Sequence, residues 1–285
     1  MKNQDFILPK RNPKTYFSVL FQITRKDWKI YWRYPLNAVS SIFQPLIWLA
    51  PVFFLGKTFS HNGEALGFAG FSGSTDYMSF MILGAAISNF ISAVFWGMGY
   101  AIKDDMNTGV LESNWMTPIP RLLMLVGRTI NSLIITTITS LGMLIIAGLI
   151  FGFHPTGSVW KALLTVVPML LGLYGFGFGF AAVVMIVREA NTMVDMGQFM
   201  VDLLSGSSFP VKALPGWLLP VSLSIPLTYG YDAIRGILLH NTTLMPVKTE
   251  IILLLVFMVI MIAGGVQAFR ALEKKVRTRG TLGQY

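Results

Sequence analysis

With 285 residues, of which 54% are hydrophobic and 12% charged, the chain carries about half the charge of a water-soluble domain of its length. That composition points to a protein that lives in lipid. Cysteine is absent, which excludes disulfides and thiolate metal sites, and the three histidines, His61, His154 and His240, are too scattered to share a metal.

The first thirty-odd residues are polar and basic, without the short apolar core and small-residue cleavage site of a signal peptide. Within them, residues 14–34 ("KTYFSVLFQITRKDWKIYWRY") have a helical period. Phe17, Leu20, Phe21, Trp28, Tyr31 and Trp32 share one face, and Ser18, Gln22, Arg25, Lys29 and Arg33 share the other. This predicts an amphipathic helix lying in the membrane surface, aromatics in lipid and cations toward head groups. It would anchor the first span; a polar face that also meets a cytoplasmic partner is the sharper alternative.

Six stretches then have the roughly 20 apolar residues that a membrane crossing needs. They are Asn37–Leu55, Tyr77–Ile102, Arg121–Phe151, Val159–Val187, Thr192–Phe209 and Glu250–Ala271. The third is long enough for its first two turns, with Arg121 and Arg128, to stand in water. In the fourth, "GLYGFGFGF" (Gly172–Phe180) alternates glycine with aromatics, a pattern for close helix approach rather than a cofactor motif.

A further oily stretch, Trp217–Leu239, is interrupted by Pro220 and Pro226. Both prolines remove backbone donors, and broken backbone at membrane depth must be covered by protein or water. The distribution of cations decides its placement. With six spans both termini share a side, and 17 of the 22 basic residues fall there, leaving Lys57, Lys161, Lys212, Arg235 and Lys248 opposite. By the positive-inside rule that side is cytoplasmic. Trp217–Leu239 is therefore expected to be a re-entrant or interfacial helical pair on the outer side, with Asp232 and Arg235, three apart, paired to each other. The excess of cations reads as orientation and not as a nucleic-acid surface.

Residues 103–120, "KDDMNTGVLESNWMTPIP", join spans two and three and hold three of the 13 acids. Gly109–Met116 suits about two helical turns, stopped at Thr117-Pro118 because a residue before proline is pushed out of the helical region. Asn107 or Thr108 is placed to cap its start, and Asp104 and Asp105 suit its positive end. Leu111 and Trp115, four apart, form an apolar ridge. A plain loop needs only about 4 to 6 residues, so the excess predicts a docking element.

These residues carry a resemblance. "NTGVLESNWMTPIPRLLMLVGR" resembles the first cytoplasmic segment of type-2 ABC exporter permeases, with Gly109, Glu112, Thr117, Pro118, Gly127 and Arg128 in the family's positions. "FPVKALPGWLLPVSLSIPLTYGYDAIRG" resembles that family's outer segment through Leu214, Pro215, Trp217, Pro226, Leu227, Thr228, Tyr229, Ala233 and Arg235. "YPLNAVSSIFQPLIWLAPVFF", with Gln44-Pro45, resembles its first span. The sequence departs at Val110, where the family often has Thr, and at Asp104-Asp105, where glutamates are commoner.

The resemblance implies an all-α membrane protein of six spans with an interfacial front helix, a short coupling helix at about 103–117 and an outer re-entrant pair at about 210–240. The organisation is then a cytoplasmic N-terminus over 1–36, a permease domain over 37–271 and a basic cytoplasmic tail over 272–285. Two such permeases, as a homodimer or a heterodimer, would form the pore. Two copies of an ABC ATPase would bind ATP and Mg2+ beneath them, in a prokaryotic plasma membrane. ATPase coupling would fall to Asp105, Gly109, Leu111, Glu112, Trp115, Thr117 and Pro118. Gln44, Trp48, Asn89, Asp202, Ser205 and Phe209 are candidates for the substrate path, each weighed against a plain interhelical bond or a lipid-facing aromatic. For Asp202 the two readings balance; for Asp195, nearer the cytoplasmic end, the structural one is favoured. Leu214, Pro215, Trp217, Pro226, Tyr229 and Arg235 are candidates for an outer gate.

The chain itself is expected to bind no cofactor and to catalyse nothing. "PVFFLGKT" (Pro51–Thr58) lacks the first glycine of a phosphate loop and lies at the end of a span. "GSSF" (Gly206–Phe209) is a poor likeness of a serine-protease motif, and no histidine lies in a span to activate it. The expected cargo is a lipophilic drug or lipid-like molecule moved outward, with polysaccharide or teichoic-acid-like cargo as the alternative. An ion-coupled carrier is the other class, but the two halves show no matching motifs, and only Asp202 is a deep ionisable group.

Overall fold

A computed structural model describes residues 13–59, 66–117, 119–184, 187 and 190–279, without the side chains of residues 13–15, 59, 66, 112, 115 and 276–279. Among the described residues there are helices and no strands. In chain order the α-helices are α1 (Pro13–Arg33), α2 (Pro35–Phe59), α3 (Leu66–Ser72), α4 (Tyr77–Ser92), α5 (Ala101–Asn107), α6 (Leu111–Met116), α7 (Arg121–Phe151), α8 (Val159–Val184), α9 (Ala190–Leu204), α10 (Leu219–Leu223), α11 (Pro226–Leu239) and α12 (Val247–Arg279). The fold is an all-α membrane protein.

Among the described residues five runs are long and apolar enough to cross a bilayer: Pro35–Thr58, Tyr77–Gly99, Arg121–Phe151, Val159–Val184 and Val247–Lys275. The predicted fifth span, Thr192–Phe209, differs. Its helix α9 has 15 residues and stops at Leu204, short of the roughly 20 that a crossing takes. Gly206 follows in the left-handed region (φ +80°), and the Ser207 hydroxyl folds back to the Asp202 carbonyl at 2.8 Å, which ends the helix.

The second predicted span is not one uniform helix. Between α4 and α5 the backbone widens into a π-helix over Ala93–Gly99, and Tyr100 N–H bonds to the Phe95 carbonyl, five residues back. This widened turn packs on α8 and α9. Phe95 lies 4.6 Å from the Phe180 ring, and a Cβ on Gly197 would come within 2.8 Å of Phe95.

α8 and α12 are the most closely joined pair. Gly172, Gly175 and Gly179 line one face of α8, and a Cβ on Gly175 would meet the Ile262 backbone nitrogen at 2.6 Å. Gly177 turns the other way, toward Val94 and Met98 of the π segment. The glycine and aromatic alternation therefore lets three backbones approach while Phe176 and Phe180 stack beside them.

α1 runs along the first half of α7. Thr24 Oγ1 donates to the Gly127 carbonyl at 3.3 Å, and Trp28, Tyr31 and Trp32 reach Ile135 and Ile138. α2 continues beside the second half, with Ile42 at Gly142 and Phe53 at Phe151. Phe17 and Phe21 on the apolar face of α1 are exposed. The Pro220 and Pro226 interruptions produce two short helices, α10 and α11, each with its proline in the first turn, where a missing N–H costs nothing.

Candidate functional site

Two polar elbows lie at opposite ends of the run from α4 through α5. The first spans residues 101–128. α5 ends where the Thr108 hydroxyl donates to the Asp104 carbonyl at 2.8 Å and Gly109 turns left-handed (φ +70°). Thr108 thus closes α5 and does not cap the next helix, a correction to the expectation for Asn107 or Thr108. α6 begins at Leu111 without a side-chain cap. The Asn107 amide instead donates to the Tyr100 hydroxyl at 2.9 Å.

Asp105 is the fixed point of this elbow. Arg128, two turns into α7, donates from Nη2 to both Asp105 carboxylate oxygens at 2.7 and 2.9 Å, and from Nη1 to the Ala101 carbonyl at 3.1 Å. The Asn114 amide on α6 donates to Asp105 Oδ2 at 3.3 Å. One carboxylate therefore joins α5, α6 and α7, with the pair largely shielded from solvent at 13% and 22% side-chain exposure. The Thr117 hydroxyl closes α6 on the Asn114 carbonyl at 2.6 Å. Arg121 Nη1 meets Glu273 Oε1 at 2.6 Å, fastening the start of α7 to α12.

Leu111 departs from its expected place. It is buried (5% exposed) among Ile102, Leu125 and Phe269, so it holds the elbow to the bundle instead of forming an exposed ridge. The apolar groups that face outward are Val110 and Met116, the latter 85% exposed. Gly109 has open space around it. The side chains of Glu112 and Trp115, and all of Pro118, lie outside the described residues.

The second elbow is built on Arg235. It is 3% exposed, and its guanidinium donates to the carbonyls of Gly206 (2.5 Å), Ser207 (2.6 Å) and Phe80 (3.1 Å) while lying over the Phe80 ring. The Gly206 and Ser207 carbonyls lie just beyond Leu204, where α9 breaks, and the Phe80 carbonyl belongs to the first turn of α4. Arg235 does not pair with Asp232, as its spacing had suggested; the Asp232 carboxylate instead accepts from the Leu244 backbone N–H. A buried guanidinium presents five donors in a rigid fork, and two carbonyls at a broken helix end with a third from α4 suit it better than one neighbouring carboxylate.

The break between α10 and α11 is closed by hydroxyls. Thr228 donates to the Ser222 carbonyl at 2.7 Å and Tyr229 to the Leu223 carbonyl at 2.8 Å, while Ser222 donates to the Leu204 carbonyl at 2.6 Å. The Pro226–Tyr229 run is thus a self-tied corner. Pro215 and Trp217 are exposed, Trp217 at 75%, and Leu214 and Pro226 are half-buried.

The model of the family described as ABC-2 type transporter matches residues 18–239, from α1 through α11 and including both elbows. The chain belongs to the ABC-2 type transporter family. Two curated relatives, both named probable doxorubicin resistance ABC transporter permease protein DrrC, come from Mycobacterium tuberculosis strains CDC 1551 / Oshkosh and ATCC 25618 / H37Rv. Each is 28% identical over 184 residues, 61% of this chain and 62% of its own length. The match thus spans less than two thirds of these relatives.

In this ABC transporter permease the predicted path residues do not form one wall. Gln44 and Trp48 face outward from α2, Trp48 at 74% exposure. Asn89 donates to Ser140 Oγ on α7 at 3.3 Å, and Ser140 donates to the Ala86 carbonyl at 3.2 Å, a helix-to-helix bond. Asp202 accepts from Ser88 Oγ at 2.7 Å, and Ser88 also bonds the Tyr231 hydroxyl at 3.0 Å, which links α4, α9 and α11. Ser205 is fully buried beside them, Phe209 is half-buried and Asp195 is exposed. Among the described residues no group of His, Cys, Asp and Glu could hold a metal.

In the sequence Arg128 stands in a motif without an evident partner, and nothing there marks Asn114, Ser88 or Tyr231. The only advance signal was Arg128 itself, a cation in the first turns of an otherwise apolar helix.

Proposed function

We propose that this permease is the membrane half of an ATP-driven exporter that carries a lipophilic or lipid-like molecule outward, with ATP bound and hydrolysed by a separate subunit docked on the 101–117 elbow. The observation that carries this reading is the clamp of α5, α6 and α7 on Asp105. A short helix tied through one buried-side carboxylate to a long span transmits a push to that span, whereas an untied loop would absorb it. Met116 and Val110, exposed on the same elbow, offer an apolar contact for the ATPase.

A second copy of the permease completes the pathway in this reading. The exposed faces of α2 (Phe43, Ile47, Trp48) and α9 (Met196, Phe199, Met200) support it, since both are apolar and largely uncovered in the single chain. An apolar and aromatic passage favours a lipophilic cargo over a sugar polymer, and the drug-resistance naming of the DrrC relatives points the same way. Both termini would then lie on the cytoplasmic side, with the basic residues.

The test is a Val110→Asp, Met116→Asp double variant, purified by an affinity tag from its native membranes. The expected result is full insertion of the variant with loss of the ATPase activity that accompanies the unaltered chain. Undiminished ATPase co-purification would overturn the docking assignment.

A further inference from the structure

A groove runs along the corner where α1 turns into α2 against α7. Its walls include Trp28, Trp32, Pro35, Val39, Ile42 and Ile138, and it holds about 140 Å³ of room. Trp32, Val39 and Ile138 on its rim are 47%, 51% and 42% exposed, so it opens sideways and not into the bundle. Of the two hydroxyls among its lining residues, that of Tyr31 is bonded to Ser41 Oγ at 3.0 Å and that of Thr139 donates to the Thr136 carbonyl at 3.1 Å. Nothing polar is left to hold water there, and a polar-free space of this kind takes hydrocarbon.

One helical stripe away from Trp28 and Trp32 stand Arg25, Lys29 and Arg33, four residues apart and all exposed. Among the described residues none of these three is ion-paired; the acid on this helix, Asp27, pairs with Lys26 at 3.2 Å. The groove lies at the first turns of a membrane-spanning helix, flanked by aromatics and cations, which is the level where head groups meet acyl chains.

We infer that this corner is a binding site for one anionic phospholipid, its acyl chain in the Trp28–Trp32–Val39–Ile138 groove and its head group on Lys29 and Arg33. A second copy of the chain is a poor occupant, because two-fold packing would bring the same three cations against one another. The inference depends on neither cargo nor ATPase. Its consequence is that the α1–α2 corner is held by lipid, so the angle at which α1 meets the bundle depends on lipid charge.

The test is native mass spectrometry of the full-length chain released from detergent with phosphatidylglycerol or phosphatidylcholine of identical chains. The unaltered protein retains the anionic lipid preferentially. Lys29→Gln with Arg33→Gln lowers that preference by about twenty-five-fold, since each cation near an anionic lipid is worth roughly a factor of five. Val39→Trp, which fills the groove from its exposed rim, removes tight retention of both lipids while leaving the cations in place. Equal retention of the two lipids, or a preference unchanged in the double variant, would overturn the site. So would a disulfide between two copies carrying Ile138→Cys, which would show that a second chain covers the groove.

Discussion

Arg128 on α7 grips both carboxylate oxygens of Asp105 at 2.7 and 2.9 Å across 23 residues of sequence, and by doing so it turns a polar connection into part of a long helix. With Nη2 on the Asp105 carboxylate and Nη1 on the Ala101 carbonyl, the planar guanidinium fixes orientation as well as distance. The elbow therefore moves with α7 and not independently of it.

Arg128→Ala removes that grip and leaves Asp105 partly buried with only the Asn114 amide. The pair is mostly shielded, so its loss should destabilise the fold by about 1–3 kcal/mol. Transport should fall far more than the amount of folded protein, because the lever is loosened while the bundle stays intact. Arg128→Lys should rescue poorly, since an ammonium lacks the planar fork that reaches the Asp105 carboxylate and the Ala101 carbonyl from two nitrogens. The checks are thermal unfolding in detergent and cargo efflux from cells; equal losses in both would mean that the pair only supports folding.

Arg235→Met strips the carbonyls of Gly206, Ser207 and Phe80 of their donor at one stroke. Each buried carbonyl left without a partner costs roughly 1–3 kcal/mol. Little monodisperse protein should survive, as measured by size-exclusion chromatography of a fluorescent fusion. Arg235→Lys should fail in the same assay because one ammonium cannot span carbonyls from α4 and from two successive residues beyond α9.

Asp202→Asn keeps an oxygen that accepts from Ser88, so folded yield and transport should both remain near those of the unaltered chain. Asp202→Leu leaves the Ser88 hydroxyl with one partner fewer and should lower stability by about 1–3 kcal/mol. If Asp202→Asn folds but no longer transports, the carboxylate charge acts on cargo and the bonded network is not its whole role.

Gly175→Val places a branched side chain where the Cβ alone would come within 2.6 Å of the Ile262 backbone nitrogen. α8 and α12 must separate, and the variant should not reach the membrane in folded form. Gly264→Ala on α12, where a Cβ would meet nothing within 4 Å, is the matched control and should be silent. Both are read from the yield of monodisperse protein.

These residues also show how far the sequence could be read. The long apolar helices were legible because hydropathy over 20 residues does not depend on what packs against them, and the Gly172–Phe180 pattern was legible because close helix approach demands glycine. The partners of Arg235 were not. Its i−3 neighbour Asp232 has the simplest spacing, yet the carbonyls it serves lie 28, 29 and 155 residues away, two of them just beyond the break in α9 and the third in α4. That break was itself hidden, since Gly206 among serines reads as an ordinary span end and gives no length. The π-helix at Ala93–Gly99 left no trace because an extra residue per turn does not change composition. Leu111 and Met116 both lie on a six-residue helix, and only tertiary packing decides which one is buried.

The chain's lack of cysteine makes one experiment especially clean. A single Met116→Cys, joined in native membranes to neighbouring proteins by a short thiol-to-amine cross-linker, reports what meets the elbow. The expected product is an adduct with an ATP-hydrolysing subunit, formed in inverted vesicles and not by an impermeant reagent added to intact cells. Labelling of Met116→Cys from outside intact cells, without any ATPase adduct, would contradict the proposal that this permease is driven through its 101–117 elbow.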